Sequence, residues 1–254
     1  MISSLGDLRI VPLECLILHE DHDHRRLEHL RERMEAEGVQ RNPVIAAPYK
    51  DRYLVLDGAH RVHALGEMGC SMALIQLVEL PEKAEGWGHI LDVEAARSLP
   101  DLGGAIEVSE EPEGVCLAEI ETDSGRRVYV RAGEEGLLQE VAVLWRMQEI
   151  YPGDVPVRRV NPGGPTRLAN GEALVAYRGF TPKELVEIVQ AGMMLPAGIT
   201  RFRIPERVLG VRFPLEKLES GDPETRDAEL RAFVKESWEA NRIRYYGEPV
   251  VLFE

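Results

Sequence analysis

Cysteine is scarce in this chain. Cys15, Cys70 and Cys116 are the only three, with no C-x-x-C pair and no Cys–His spacing of the kind that holds zinc. So sparse and odd a set excludes a disulfide framework and suits a reducing compartment, with each thiol read as a small buried side chain. Long apolar runs are also missing. No stretch of about 18 apolar residues occurs, so no helix is expected to span a membrane. The start, MISSLGDLRIV, lacks the basic opening and long apolar core of a signal peptide, and the expected location is the cytoplasm. Basic residues are in deficit, 30 Lys and Arg against 44 Asp and Glu, for a net charge of −14. That balance argues against duplex nucleic acid as the partner, because phosphate backbones are held by clustered cations. A small anionic ligand needs only a few placed donors and stays compatible with the charge.

What is present is an ordinary globular composition, 44% apolar and 29% charged over 254 residues, enough for one large domain or two modest ones. The first eighty residues are punctuated most clearly. Leu8–Leu18 reads as extended and largely apolar, broken by Pro12; Leu27, Leu30 and Met34 recur at helical spacing up to Gly38, a natural C-cap. Pro43–Pro48 and Tyr53–Leu56 read as a hairpin around residues 49–52. Val62, Leu65 and Met68 mark a second helix closed by Gly69, and Met72–Val78 a further strand. The order strand, helix, strand, strand, helix, strand describes a mixed α/β unit over 1–80.

From 81 onward the signals thin out. The segment DLGGAIEVSEEPEG reads as loop, Val115–Glu121 and Arg127–Val130 as strands around the turn at 123–125, and Glu134–Ile150 as a helix. Residues 161–165 read as loop. Thr181 caps a helix that carries Pro182 in its first turn and Glu184 three residues after the cap, ending at Gly192. Pro223–Arg242 reads as a charged surface helix and Pro249–Phe253 as a last strand. The expected architecture is α+β, with 81–254 an α/β region that completes a substrate pocket.

Chemistry concentrates at Asp57-Gly58-Ala59-His60-Arg61, where an apolar strand runs straight into a helix. Gly58 lets the backbone turn tightly and approach a ligand closely. The first turn of the helix leaves N–H groups unpaired beside a partial positive charge, which favours phosphate. His60 and Arg61 add donors, and Asp57 is an oxygen ligand suited to Mg2+. The competing reading makes Asp57 an N-cap, Gly58 a plain turn residue and His60-Arg61 a solvated face. The run His19-Glu20-Asp21-His22-Asp23-His24 carries both imidazole and carboxylate, which could bind a divalent metal, but a polar strand-to-helix loop is the preferred reading. Within it Glu20, at a strand end, is a natural general base for a substrate hydroxyl. Thr200-Arg201-Phe202-Arg203 offers a hydroxyl and two cations to an anion, against the reading of a solvated loop. Trp87, between Gly86 and Gly88, is either a satellite-core aromatic or a pocket wall.

Leu8–Leu80 resembles the ParB/sulfiredoxin-like fold, through the strand ending in His19-Glu20, the helix ending near Gly38, Asn42-Pro43-Val44 and the YLVLDGAHRVHAL run. Ala59 stands where sulfiredoxins carry their catalytic cysteine, and the Gly-Glu-Arg-Arg turn and helix-turn-helix of chromosome-partitioning ParB proteins are not seen. The closer resemblance is to the free serine kinases of this fold, of archaeal and siderophore-cluster types, and it extends over most of the chain through Trp87 and the Gly198–Arg201 segment.

The resemblance implies that Glu20 takes the proton from the serine hydroxyl and that Asp57 lies at the reaction centre near Mg2+. It further implies that Gly58, Ala59, His60 and Arg61 bind the phosphates of ATP or ADP, and that Trp87, Thr200 and Arg201 build the amino-acid pocket. Two departures are local. Ala59 replaces a second His found in some members, which bears on ATP versus ADP as donor; Phe202 replaces a frequent His, which bears on the serine contact. The implied product is O-phospho-L-serine, with siderophore biosynthesis as one setting and a homodimer as a candidate assembly. The alternatives are a ParB-like nucleotide-binding regulator and a sensor that binds nucleotide or haem without turnover.

Overall fold

The computed structural model describes residues 5, 7–99, 106–112, 114–151, 157–161 and 166–248. The chain forms two compact units, one from residues 1–16, 24–79 and 204–254, the other from 17–23 and 80–203. The segment from Ile204 onward thus groups with the first unit, and residues 17–23 with the second.

In the first unit the extended N-terminal run is interrupted. Pro12, which cannot donate to a ladder, ends β1 (Leu8–Pro12), a short 3-10 turn follows at Leu13–Cys15, and β2 (Leu16–Ile17) resumes. Helix α1 (His24–Glu37) buries Leu27 and Met34 and stops at Gly38, whose φ of 64° is the left-handed conformation of a helix C-terminus. The short β3 (Val39–Gln40) leads to the expected hairpin of β4 (Val44–Tyr49) and β5 (Arg52–Asp57). Then come α2 (Ala59–Glu67) and β6 (Met72–Leu77). The five-stranded sheet has the order β1-β6-β4-β5-β2, with β4 parallel to β6 and antiparallel to β5. A parallel pair needs a crossover, here supplied by β5 and α2, and this carries the Asp57–Arg61 turn out of the sheet. The core is Val44, Leu54, Leu65, Leu74 and Ile75, all at 0% exposure. This is a mixed α/β unit with the element order expected from the sequence.

The second unit begins with the short β7 (Glu85–Gly86), β8 (Gly88–Asp92) and α3 (Val93–Arg97). Strand β9 (Ile106–Ser109) occupies part of the segment expected to be loop; its Ile106 is buried, so alternation along a short acidic strand was masked by the surrounding Gly and Glu. The two expected strands are β10 (Ala118–Thr122) and β11 (Arg127–Ala132), and the expected helix is α4 (Leu137–Met147). Next are β12 (Arg158–Val160), β13 (Glu172–Tyr177), α5 (Pro182–Gln190) with its complete capping box at Thr181 and Glu184, and the two-residue β14 (Thr200–Arg201). An antiparallel six-stranded sheet has the order β12-β8-β13-β10-β11-β9.

Back in the first unit, β15 (Phe213–Pro214) pairs with β3, and α6 (Pro223–Glu239) packs on β1. The charged face expected of α6 exists, but Leu230 and Val234 are buried and Asp227 accepts from the Ile10 N–H at 3.2 Å. The helix is therefore half core. The loop expected at 161–165 lies outside the described residues beyond Asn161, as does the strand expected at 249–253. Phe213 is fully buried, edge-on to Phe233 with centroids 5.6 Å apart. Phe213→Ala should cost about 3–5 kcal/mol, read as a lowered denaturant midpoint; a loss below about 1 kcal/mol would mean that β15 does not anchor the returning segment.

Candidate functional site

Strand β5 ends on Asp57 and α2 begins at Ala59, so Gly58 alone makes the turn. Its φ of 112° is one that residues with a Cβ rarely adopt, and a Cβ there would lie 2.7 Å from the Arg61 guanidinium. Gly58 is the N-cap and has no side chain to occupy the helix end; the first backbone bond of the helix runs from Val62 N–H to the Gly58 carbonyl at 3.1 Å. The N–H groups of Ala59, His60 and Arg61 precede that bond and have no intrahelical acceptor. The reading of Asp57 as a helix cap is therefore not realised.

Asp57 instead forms ion pairs. Its Oδ2 lies 2.5 Å from Arg207 Nη1 and 3.6 Å from Arg61 Nη2. Burial pushes the carboxyl up, but the Arg61 and Arg207 guanidiniums outweigh it and hold the group below the ordinary carboxylate range. Arg207 carries no local sequence signal, since it lies 150 residues from its partner. Gln76, at 2% exposure, places it: the amide nitrogen donates to the Glu206 carbonyl and the amide oxygen accepts from the Val208 N–H, both at 2.9 Å.

The second unit collects the other predicted residues. Glu20 Oε1 accepts from both the Thr200 N–H and the Thr200 hydroxyl, the latter at 2.6 Å, and Oε2 accepts from the Gly198 N–H at 3.1 Å. Backbone bonds fix the same segment, Asp21 N–H to the Leu195 carbonyl and Leu195 N–H to the His19 carbonyl, each at 2.8 Å. His19 Nε2 lies 2.8 Å from Thr200 Oγ1, and its ring stands edge-on to Phe202. Since the hydroxyl donates to Glu20, its oxygen accepts from His19. Phe202 is thus a buried packing partner of His19, at 4% exposure.

Thr200 and Arg201 pair with Gly86 and Glu85, which brings Arg201 over the Trp87 ring at 5.2 Å from the centroid and 3.3 Å from Glu85. The glycines beside Trp87 are required by packing: a Cβ at Gly86 would lie 1.7 Å from the Tyr177 carbonyl oxygen, and one at Gly88 2.9 Å from Leu174. The expected solvated loop at 200–203 is thus partly a buried strand. The 19–24 run forms a polar loop into α1, and among the described residues no three metal-ligating side chains are grouped.

The predicted residues therefore fall into two sets. Asp57, Gly58, Ala59, His60 and Arg61 lie together in the first unit, and Glu20, Trp87, Thr200 and Arg201 in the second. Arg207 and His19 join them without having been singled out from sequence; His19 was legible only as the neighbour of Glu20. A folded-state pKa held down at Asp57 contributes stability above the unfolded value near 4, and that contribution fades as pH falls through the folded value. In Arg207→Ala the depression is smaller. Melting temperatures taken between about pH 5 and about pH 3 should fall less in the variant than in the parent, by a modest margin because the pair is half-exposed. Parallel curves would remove Arg207 as a partner.

No family model matches the chain. It is 28% identical, over 97% of its own length and 97% of the relative's, to a Staphylococcus aureus protein named ATP-dependent L-serine kinase SbnI. A Staphylothermus marinus protein named ATP-dependent L-serine kinase matches 62 residues at 39% identity, 24% of this chain and 25% of that one. Among solved structures, C-terminally truncated SbnI of Staphylococcus aureus superposes with a TM-score of 0.79 at 23% identity, covering 94% of this chain and all of that one. A free serine kinase in complex with AMP gives a TM-score of 0.65 at 20% identity, covering 84% of this chain and 93% of that one. The chain is a relative of the staphylococcal L-serine kinase along nearly its whole length, with the fold of the free serine kinases.

Proposed function

We propose that this chain transfers a phosphoryl group from ATP to the hydroxyl of free L-serine, giving O-phospho-L-serine. The observation that carries the reading is the Gly58 turn opening α2 beside a paired Asp57, in a chain that aligns end to end with a protein named for this activity. Phosphoryl transfer asks for positioning and charge neutralisation more than for covalent chemistry. The first-turn N–H groups of α2, with His60 and Arg61, bind the nucleotide phosphates. Glu20 accepts the proton of the serine hydroxyl as its oxygen attacks the terminal phosphorus. The bond from that phosphorus to the bridging oxygen breaks, and ADP leaves; with ADP as donor the leaving group is AMP. Trp87, Thr200 and Arg201 form the amino-acid pocket, with Arg201 as the cation for the carboxylate.

A half-exposed carboxylate with room for phosphate oxygens is the usual protein share of a Mg2+ site, and Asp57, 44% exposed, fits it. Mg2+ bound there would neutralise phosphate charge. The wider reading is of a cytoplasmic enzyme, as a monomer or homodimer, whose activated phosphoserine serves siderophore biosynthesis.

Glu20→Gln keeps the shape and one acceptor oxygen, turns the other position into an amide donor, and removes the base. Turnover should fall by about 10²–10⁴-fold, with nucleotide affinity unchanged by calorimetry. Arg61→Ala should first raise the nucleotide KM. Full turnover in Glu20→Gln, or an unchanged nucleotide KM in Arg61→Ala, would refute the corresponding assignment.

A further inference from the structure

Gly198 is held on both sides. Its N–H donates to Glu20, and its carbonyl accepts from His89 Nε2 at 2.8 Å. His89 lies on β8 at 2% exposure, and its Nδ1 is 2.9 Å from the Tyr151 hydroxyl. That hydroxyl forms a short hydrogen bond with the hydroxyl of Tyr177, to which the Gln148 amide donates at 3.2 Å. One direction of donation satisfies every member. A carbonyl only accepts, so Nε2 carries the proton; Tyr151 then donates to Nδ1, Tyr177 to Tyr151, and Gln148 to Tyr177. Burial pushes both phenols up from their ordinary range, so both keep the protons this order needs. The two tyrosine rings stand edge-on to the imidazole, with centroids 5.5 and 5.1 Å away.

The sheet does not require this chain of polar groups. Strands β8 and β13 pair through their backbones, with His89 opposite Val175, and apolar side chains of similar size would avoid the cost of burying a histidine and two hydroxyls. What the chain reaches is the Gly198 carbonyl. Gly198 has a φ of +77°, a conformation glycine adopts freely, and the Arg159 guanidinium lies 2.0 Å from where a Cβ would be, so the loop passes this point as glycine and its orientation is set by the two hydrogen bonds.

We infer that His89 is a positioning residue: through Gly198 it fixes the loop 198–200 whose N–H groups aim the Glu20 carboxylate, and Tyr151, Tyr177 and Gln148 fix the imidazole. The inference rests on the phosphoryl-transfer reading, because the group positioned is its general base.

The test compares His89→Leu, His89→Gln and Tyr151→Phe in the full chain, assayed for phosphoserine with ATP and Mg2+. His89→Leu should lower kcat by about 10²-fold, the scale of a displaced reacting group, with the nucleotide Kd unchanged. His89→Gln retains a donor toward the Gly198 carbonyl and should recover most of that loss; Tyr151→Phe should fall between. The ¹⁵N spectrum of wild-type His89 should report the Nε2–H tautomer and change in Tyr151→Phe. Unchanged kcat in a folded His89→Leu, with wild-type turnover intact, overturns the inference alone. Equal losses in His89→Leu and His89→Gln with Tyr151→Phe unaffected overturn it too, as a purely structural role. If His89→Leu does not fold, Tyr151→Phe decides in the same way. No phosphoserine from wild type, despite nucleotide binding, removes the kinase reading and the inference with it.

Discussion

A carboxylate drawn away from water must find donors, and in the second unit Glu20 finds three, all from a segment about 180 residues further along the chain. The constraint works in both directions. The donors fix the carboxylate in one orientation, and the carboxylate fixes Gly198 and Thr200, which otherwise sit in a stretch with only a two-residue strand. His19 adds a donor to the Thr200 hydroxyl, and the backbone bonds at Asp21 and Leu195 clamp the same pair of segments. A group arranged this way loses little freedom when it must act, which is what a positioned base requires.

The first unit solves the complementary electrostatic problem. The start of α2 is a concentration of positive potential, the place where the proposed reading puts the nucleotide phosphates, and Asp57 beside it balances Arg61 and Arg207. Gly58 makes the arrangement possible, because its φ of 112° is one that residues with a Cβ rarely adopt, and a Cβ there would displace the Arg61 guanidinium. The net charge of −14 and this local cluster of cations are compatible, since a small anion responds to the few charges around it and not to the total.

Much of this was legible in the residues. Helical periodicity located α1, α2 and α4, and the capping residues Thr181, Pro182 and Glu184 located α5; glycines at 38, 58 and 192 marked turns that the backbone makes at positive φ. The Asp57–Arg61 signature and Glu20 stood out because strand-to-helix turns concentrate polar groups in a short stretch of sequence. What was hidden depends on distance along the chain. Arg207 meets Asp57 across 150 residues, and the return of the segment from Ile204 to the first unit leaves no local periodicity. His89 sits in β8, a five-residue strand in a stretch where no element was read from the sequence, so nothing nearby announces that its two ring nitrogens are both engaged. Strand β9 was hidden for another reason: four residues among glutamates and glycines are too few for alternation to be read.

In the proposed reaction a phosphoryl group passes to a free amino-acid hydroxyl. The direct measurement is a screen of free amino acids with Mg2+ and either ATP or ADP, with products identified by ³¹P NMR and mass. Phosphoserine formed from serine, together with loss of the donor's terminal phosphate, is the predicted result. Nucleotide bound but no phosphorylated product from serine, threonine or any other hydroxyl amino acid would contradict it.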